Sequence, residues 1–113
     1  MSSRHRKPES PEVIFAALGD RIRLNLVSRL SGGGPMSITA LASGENVTRQ
    51  AVTKHLRVME AAGLVRGRRH GRERIWQLEA RRLEDARKYL KEISHQWDNA
   101  LARLQAYVER PER

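Results

Sequence analysis

Cysteine is absent from the 113-residue sequence, which excludes disulfide bonds, thiolate metal sites and cysteine nucleophiles. Aromatic residues make up 4% of the chain and hydrophobic residues 39%, which supports one domain with a modest core. No apolar run approaches the roughly 18 residues of a membrane-spanning helix, and the N-terminus lacks the hydrophobic segment of a signal peptide. We therefore expect a cytoplasmic protein.

Acidic residues are also scarce, since 13 Asp and Glu stand against 22 Lys and Arg and leave a formal net charge of +9. This balance favours a polyanionic partner, either nucleic acid or an anionic membrane surface. Segment 48–74 holds eight Lys and Arg but only Glu60 and Glu73, a net charge of +6. The charges of the last 30 residues are of both signs and form no basic stripe. We therefore expect the partner to be double-stranded DNA and not a membrane. The four histidines are scattered and no carboxylates cluster, so we expect neither an enzyme nor a cofactor.

Residues 46–65 predict the helix around which the rest of the chain is organised. Thr48 is a suitable N-terminal cap, and Gly63 is a typical stop signal. Val52, Leu56 and Met59 recur at helical spacing and predict a buried face. The opposite face has donors and no carboxylate: Arg49, Gln50, Thr53, Lys54 and Arg57. These two faces are typical of a helix in the DNA major groove, here helix 48–62.

Before this helix we predict a flexible basic tail at 1–10 and three shorter helices. Their expected starts are Pro11 with Ser10 as the cap, Asp20 and Ser37. The second helix turns Arg29 outward, and the third turns Ile38 inward and leads into helix 48–62 as a helix-turn-helix. Two extended segments then flank a turn at 70–72 and predict a β-hairpin. Residues 66–74 of this hairpin are called the wing, and 11–79 is the predicted DNA-binding domain.

The pattern from residue 80 to 110 is helical, without a breaker before Pro111. Its apolar seam consists of Leu83, Ala86, Leu90, Ile93, Trp97, Leu101, Leu104 and Val108. At about 1.5 Å per residue, this helix is roughly 45 Å long, more than a domain of this size can cover. The seam predicts a dimerisation helix at 80–110 and a homodimer. The predicted fold class is mainly α with a small β-hairpin, a winged helix-turn-helix of order α-α-α-α-β-β-α.

Candidate DNA contacts follow from side-chain chemistry. Arginine pairs bidentately with guanine and glutamine with adenine. The base-reading candidates are Arg49, Gln50, Thr53 and Lys54, and the phosphate candidates are Thr48, His55 and Arg57. The wing candidates are Arg68, Arg69, Arg72 and Arg74, of which Arg72 beside Gly71 is best placed for a minor groove. A solvated charged face is the alternative for these sets, and Arg23 either contacts phosphate or braces the fold.

Three segments resemble the ArsR/SmtB family of bacterial repressors: 18–23 (LGDRIR), 47–65 (VTRQAVTKHLRVMEAAGLV) and 71–78 (GRERIWQL). The second is specific, because it combines a cap, core spacing, a cationic face and a stop. The resemblance runs from about residue 12 to 110 and implies a winged-helix homodimer formed by the first and last helices. The interface would contain Val13, Ile14, Leu83, Leu90, Ile93, Trp97, Leu101 and Leu104. It also implies a repressor that binds a two-fold symmetric operator and is released by a signal.

Metal sensing is implied for founding members of this family, through a cysteine pair before the turn or acidic and histidine residues on the last helix. Residues 36–41 of this chain contain no thiol. The second pattern falls on Arg82, Glu84, His95 and Asp98, which puts a cation in the first ligand position. We therefore expect no metal site, with Glu84, His95 and Asp98 as the remaining ligand candidates. The signal that releases the repressor would then be an organic molecule or a partner protein, or the protein would have no effector.

The function predicted from the sequence is a sequence-specific DNA-binding transcriptional regulator that acts as a dimeric repressor. Two alternatives stay open beside it. The concentrated charge alone permits a non-specific, nucleoid-type DNA-binding protein. A zinc-responsive repressor that uses His95 and Asp98 is the other.

Overall fold

The computed structural model describes residues 10–111, and the predicted tail at 1–10 lies outside this range except for Ser10. The elements in the described range are α1 (Pro11–Leu18), α2 (Arg21–Gly33), β1 (Met36–Ser37), α3 (Ile38–Ser43), α4 (Arg49–Ala61), β2 (Val65–His70), β3 (Glu73–Leu78) and α5 (Ala80–Val108). The predicted fold class is confirmed, with one strand added to the expected order.

β1 is the strand that the sequence does not predict. Met36 pairs with Trp76 and Ser37 with Ile75, antiparallel to β3, and the sheet order is β1-β3-β2. Two residues are too few to show an alternating pattern, so the strand is defined by its tertiary pairing. Ser37 also caps α3, because its hydroxyl oxygen accepts the Ala40 N–H at 3.1 Å. β1 thereby ties the start of α3 to the sheet.

A hydrophobic core joins the helices to the hairpin. Its fully buried large side chains are Ile14, Leu26, Leu41, Val52, Leu56, Met59, Leu64 and Trp76. Burial of one such side chain stabilises the fold by about 1.5–3 kcal/mol relative to exposure. All three residues of the predicted inward face of α4 are in this set, so the opposite face of α4 is turned to solvent.

α1 contributes more to this core than the sequence indicates. Ile14 is fully buried within the single chain, so its prediction as a dimer-interface residue is wrong, because no surface remains for a partner to cover. Val13 is half-buried and keeps some exposed surface. Ser10 occupies the cap position of α1, but its side chain makes no capping hydrogen bond. Pro11 in the first turn still favours this start, since its φ is preset and its missing N–H costs nothing there.

α4 begins and ends within one residue of the predicted helix 48–62. The Thr48 hydroxyl accepts the Ala51 N–H at 3.0 Å. At the other end Gly63 has a φ of +80°, and the Leu64 N–H reaches the Met59 carbonyl at 2.9 Å. This is a Schellman terminus, which favours glycine at the left-handed position. Gly63 therefore sets the direction in which the chain enters β2.

α5 has 29 residues, about 43 Å at 1.5 Å per residue, and it packs on the rest of the chain through its N-terminal part. The rings of Phe15 and Tyr89 lie 5.7 Å apart at this contact. Farther along, Leu90, Trp97 and Leu101 are 52%, 63% and 54% exposed. No helix within residues 10–111 is both long and apolar enough to cross a bilayer.

Candidate nucleic-acid interface

The exposed face of α4 forms one wall of an open cleft against the start of α3. The cleft has a volume of about 470 Å³ and is lined by Ile38, Arg49, Gln50, Thr53 and Lys54. The four α4 residues share one face because 49 and 53, like 50 and 54, are four residues apart. Each carries a hydrogen-bond donor and two carry a positive charge. The structure thus brings the four base-reading candidates together.

His55 lies farther along α4 and faces back toward α2. Its Nδ1 is 3.1 Å from Nη1 of Arg23 and 3.7 Å from Oδ2 of Asp20. A guanidinium group only donates, so Arg23 is the donor in this contact and Nδ1 the acceptor. Arg23 also donates from Nε to the Ala17 carbonyl at 2.5 Å. Of the two roles open to Arg23, these contacts support bracing.

Asp20 fixes the start of α2 beside this histidine. Its carboxylate accepts the backbone N–H groups of Ile22 at 2.9 Å and Arg23 at 3.1 Å. The backbone hydrogen bond from Arg23 is the largest cause that lowers the pKa of Asp20, and the charge of Arg23 also lowers it against the desolvation of the carboxyl. The ionised cap therefore ties α2 to the middle of α4.

Arg29 of α2 fixes the end of α3 and the turn that follows it. It donates to the carbonyl oxygens of Leu41 at 2.6 Å and Ala40 at 2.7 Å, and it pairs with Glu45 at 3.3 Å. These are carbonyls at the C-terminal end of α3, which a cation stabilises. A Cβ at Gly44 would collide with the guanidinium group, so Gly44 lets the turn before α4 close over Arg29. The outward placement predicted for Arg29 is wrong.

The wing ends in the two-residue turn Gly71-Arg72. Gly71 has a φ of +66°, and a positive φ at the first central position is what a type II′ hairpin turn needs. Arg68, Arg69 and Arg72 are exposed near this turn. Three of the four wing candidates are therefore available to a phosphate backbone.

Arg74 differs because it is half-buried in a group that we call the Trp76 cluster: Arg57, Gly67, Arg74 and Trp76. The guanidinium carbons of Arg74 and Arg57 lie 5.6 Å and 5.9 Å from the centroid of the Trp76 ring. Gly67 is opposite Trp76 in the register, and a Cβ there would lie 2.8 Å from Nε of Arg74 and 3.0 Å from Trp76. Within the described residues, Nε of Arg74 is buried without a hydrogen-bond partner. The cluster connects α4 to the wing.

Comparisons with known proteins agree with this architecture. A family model described as a helix-turn-helix domain matches residues 18–68. An HTH-type transcriptional regulator of Mycobacterium tuberculosis is 40% identical over 70 residues, which span 62% of this chain and 64% of that protein. The solved structure of an ArsR-like transcriptional regulator from Rhodococcus sp. RHA1 is 33% identical, has a TM-score of 0.72 and covers 89% of this chain and 94% of that one. The chain belongs to the ArsR family of transcriptional regulators.

The ArsR membership confirms the resemblance found in the sequence, and the matched region is that of a DNA-binding regulator. The same fold occurs in a homodimeric winged helix-turn-helix DNA-binding domain of Mycobacterium bovis. That domain is 19% identical, has a TM-score of 0.59 and covers 90% of this chain and 86% of that one.

The metal candidates of this ArsR protein are spread along α5. Arg87 donates to both oxygens of Glu84, at 3.0 Å and 2.7 Å, and this hydrogen bonding lowers the pKa of Glu84. His95 and Asp98 line a shallow groove, about 17 Å and about 21 Å from Glu84 along the helix at 1.5 Å per residue. Glu84 and His95 of one chain therefore cannot hold the same ion. Between residues 10 and 111, no group of three or more His, Asp or Glu is placed to hold a metal.

The sequence pattern misses the position of Arg29, and it does not place Ile38 in the cleft. Ile38 is half-buried, in agreement with its predicted inward position, and it closes the floor of the cleft. The cleft forms between α3 and α4, and periodicity within one helix does not show which surfaces meet. For Arg29, the signal in the sequence is Gly44, since a glycine in the turn marks a close approach by another group.

Proposed function

We propose that this ArsR protein is a sequence-specific repressor that binds a two-fold symmetric operator as a homodimer. α4 lies in the major groove, and the wing contacts the adjacent backbone. The observation that carries the proposal is the cleft face of α4, where four donor side chains surround one apolar residue and no lining residue is acidic. Such a face suits the major-groove edges of the bases, which offer acceptors and thymine methyl groups.

Polar side chains around this face supply the phosphate contacts. Thr48 and Arg57 flank the base-reading residues on α4, and His55 offers Nε2 because Arg23 occupies Nδ1. In the wing, the exposed side chains of Arg68, Arg69 and Arg72 lie near the turn and contact the phosphates. Phosphate contacts carry no sequence information, so the wing sets affinity while α4 sets specificity.

A second copy of the chain covers the apolar seam of α5. Trp97, Leu101 and Leu104 are each more than half exposed, and a contiguous apolar surface of this kind marks an interface. The seam continues toward α1 through Leu90, Ile93, Leu83 and Val13. The Mycobacterium bovis domain with this fold is itself homodimeric, which is consistent with a second copy as the partner. Helix 80–110 is thus the dimerisation helix, and domain 11–79 presents the two α4 helices to grooves about 34 Å apart.

Competition binding tests sequence specificity. The DNA upstream of the protein's own gene is footprinted, and the protected duplex is then titrated against random duplex of the same length at one salt concentration. A specific repressor prefers its operator by about 10³-fold or more. A ratio near one would instead identify the non-specific, nucleoid-type binder, because phosphate contacts alone do not discriminate.

A zinc titration of the same complex tests the metal-responsive alternative. Since Arg87 engages Glu84 and the two other ligand candidates lie far along α5, we propose that zinc is not the signal. Operator affinity is then unchanged between zinc and a chelator. A zinc-dependent change in affinity that His95→Ala abolishes would identify a zinc-responsive repressor.

A further inference from the structure

The floor of the cleft between α3 and α4 is apolar and has no part in the hydrogen bonding of its rim. Ile38 forms this floor and is the one apolar residue among the five that line the cleft. It is half-buried and packs against the core, so it presents a limited aliphatic surface held in place by the fold. β1 and the Ser37 cap fix the start of α3 on which Ile38 lies.

We propose that Ile38 reads the 5-methyl group of one operator thymine per half-site. The inference rests on the proposed function, because it needs α4 in the major groove. Thymine is the base that presents a methyl group there, next to its O4 acceptor. The rim donors Arg49 and Gln50 then bind acceptors of the same or a neighbouring base while Ile38 contacts the methyl group. The cleft thus distinguishes thymine from cytosine.

Duplex DNA fits this cleft better than a free apolar molecule. The rim carries Arg49 and Lys54 and no lining residue is acidic, which complements a polyanion. The cleft is also open and continuous with the exposed face of α4. Contact with one aliphatic side chain buries about one methyl group, which provides too little affinity to hold a free apolar molecule. A duplex that is already bound through its phosphates does not depend on this contact for its affinity.

The test is a scan in which each operator thymine is replaced by deoxyuridine, which lacks only the methyl group. Burial of one methyl group corresponds to about a fourfold difference in affinity. We expect the wild-type protein to lose about fourfold at one thymine of a half-site. In Ile38→Ala the ratio of thymine to uracil affinities at that position falls to about one, while ratios at the other thymines stay as in the wild type. The ratio cancels any general weakening of the variant.

The matched control is Val58→Ala, which removes an exposed aliphatic side chain of α4 outside the cleft and keeps the fourfold ratio. If circular dichroism shows that Ile38→Ala is unfolded, Ile38→Val is used, for which the ratio falls only in part. No uracil effect at any position, or an equal effect in the wild type and the Ile38 variants, would overturn the inference. If the protein does not prefer its operator over random DNA, the proposed function fails as well. If it prefers its operator but shows no uracil effect, only the role of Ile38 fails.

Discussion

The arginines of this chain divide by the partners that their guanidinium groups have. Arg23 and Arg29 donate to main-chain carbonyls, and their contacts tie α2 to α4 and α3. Arg49 and Arg72 are exposed and have no hydrogen bond or ion pair in the part of the chain that the structure describes. An arginine whose donors already form intramolecular hydrogen bonds contributes to stability, whereas one whose donors form none is available to DNA.

Arg49→Ala is the substitution that tests base reading. We expect it to lower operator affinity by about 1–3 kcal/mol and to relax specificity at one base pair, because a bidentate contact to a base edge is lost. Affinities for operator and random duplexes are measured by fluorescence anisotropy. Arg103→Ala removes the same charge from the exposed far part of α5 and serves as the control. Equal losses on both duplexes for Arg49→Ala would refute the base-reading role.

Asp20 makes stability depend on pH in a predictable direction. Its pKa is lowered in the folded state, first by the backbone hydrogen bond from Arg23. A lowered folded pKa gives a contribution that is present above the unfolded pKa of about 3.9 and is lost as pH falls through the folded pKa. Asp20→Asn keeps a capping residue but does not titrate. We expect the wild type to be the more stable of the two at pH 6 and the difference to be smaller at pH 3, as measured by urea midpoints. A difference that is the same at both pH values would argue against this role.

At the scale of elements, the Trp76 cluster decides how the wing stands relative to α4. Trp76 is almost completely buried, and guanidinium groups from α4 and β3 both lie over its ring. Each such contact contributes about 0.5–2 kcal/mol depending on exposure. Arg74 is a wing candidate by sequence, but its half-buried position makes it a positioning residue that holds the hairpin on α4.

Gly67→Ala tests this cluster. Its φ is outside the left-handed region, so backbone strain does not contribute, but the added Cβ approaches Arg74 and Trp76 too closely. We expect a loss of about 1–3 kcal/mol in stability from overpacking, measured by denaturant unfolding, and weaker binding to all duplexes. Gly32→Ala is the matched control, because its Cβ meets nothing within 4 Å in α2 and should gain about 0.5–1 kcal/mol. A Gly67→Ala protein as stable as the wild type would show that the packing adapts.

At the scale of the whole molecule, α5 extends away from the rest of the chain and exposes apolar side chains. The Cα radius of gyration is 19.2 Å, against about 13 Å for a compact domain of this length. Most of the exposed large apolar side chains lie on this helix. The proposed two-fold dimer would bury them and would also set the spacing of the two α4 helices, so assembly and operator geometry would depend on the same helix.

Leu101→Glu is expected to prevent dimerisation, because it places a charge in the apolar seam. Sedimentation velocity should show a dimer for the wild type and a monomer for the variant. Operator affinity should fall by about 10²-fold or more, since two linked half-site contacts are lost. Asn99→Glu adds the same charge at an exposed polar position of α5 and should stay dimeric. A monomeric wild-type protein at micromolar concentration would contradict the proposed assembly.

The sequence by itself determined α4, the hairpin and the length of α5. Thr48 and Gly63 act on backbone groups only a few residues away, and the helical spacing of apolar residues is also local. Local signals of this kind are readable from the chain without knowing what packs against it. The same reasoning grouped Arg49, Gln50, Thr53 and Lys54 on one face.

Only the tertiary structure decided the pairing of β1, the burial of Ile14, the bracing roles of Arg23 and Arg29, and the cleft floor at Ile38. Each depends on groups that are distant in sequence, such as Trp76 opposite Met36. The neighbours that the fold brings to a side chain determine whether it is buried. The residue type alone does not reveal those neighbours. The helix proposed to meet DNA was therefore readable from the sequence, whereas the residues that hold it in place were not.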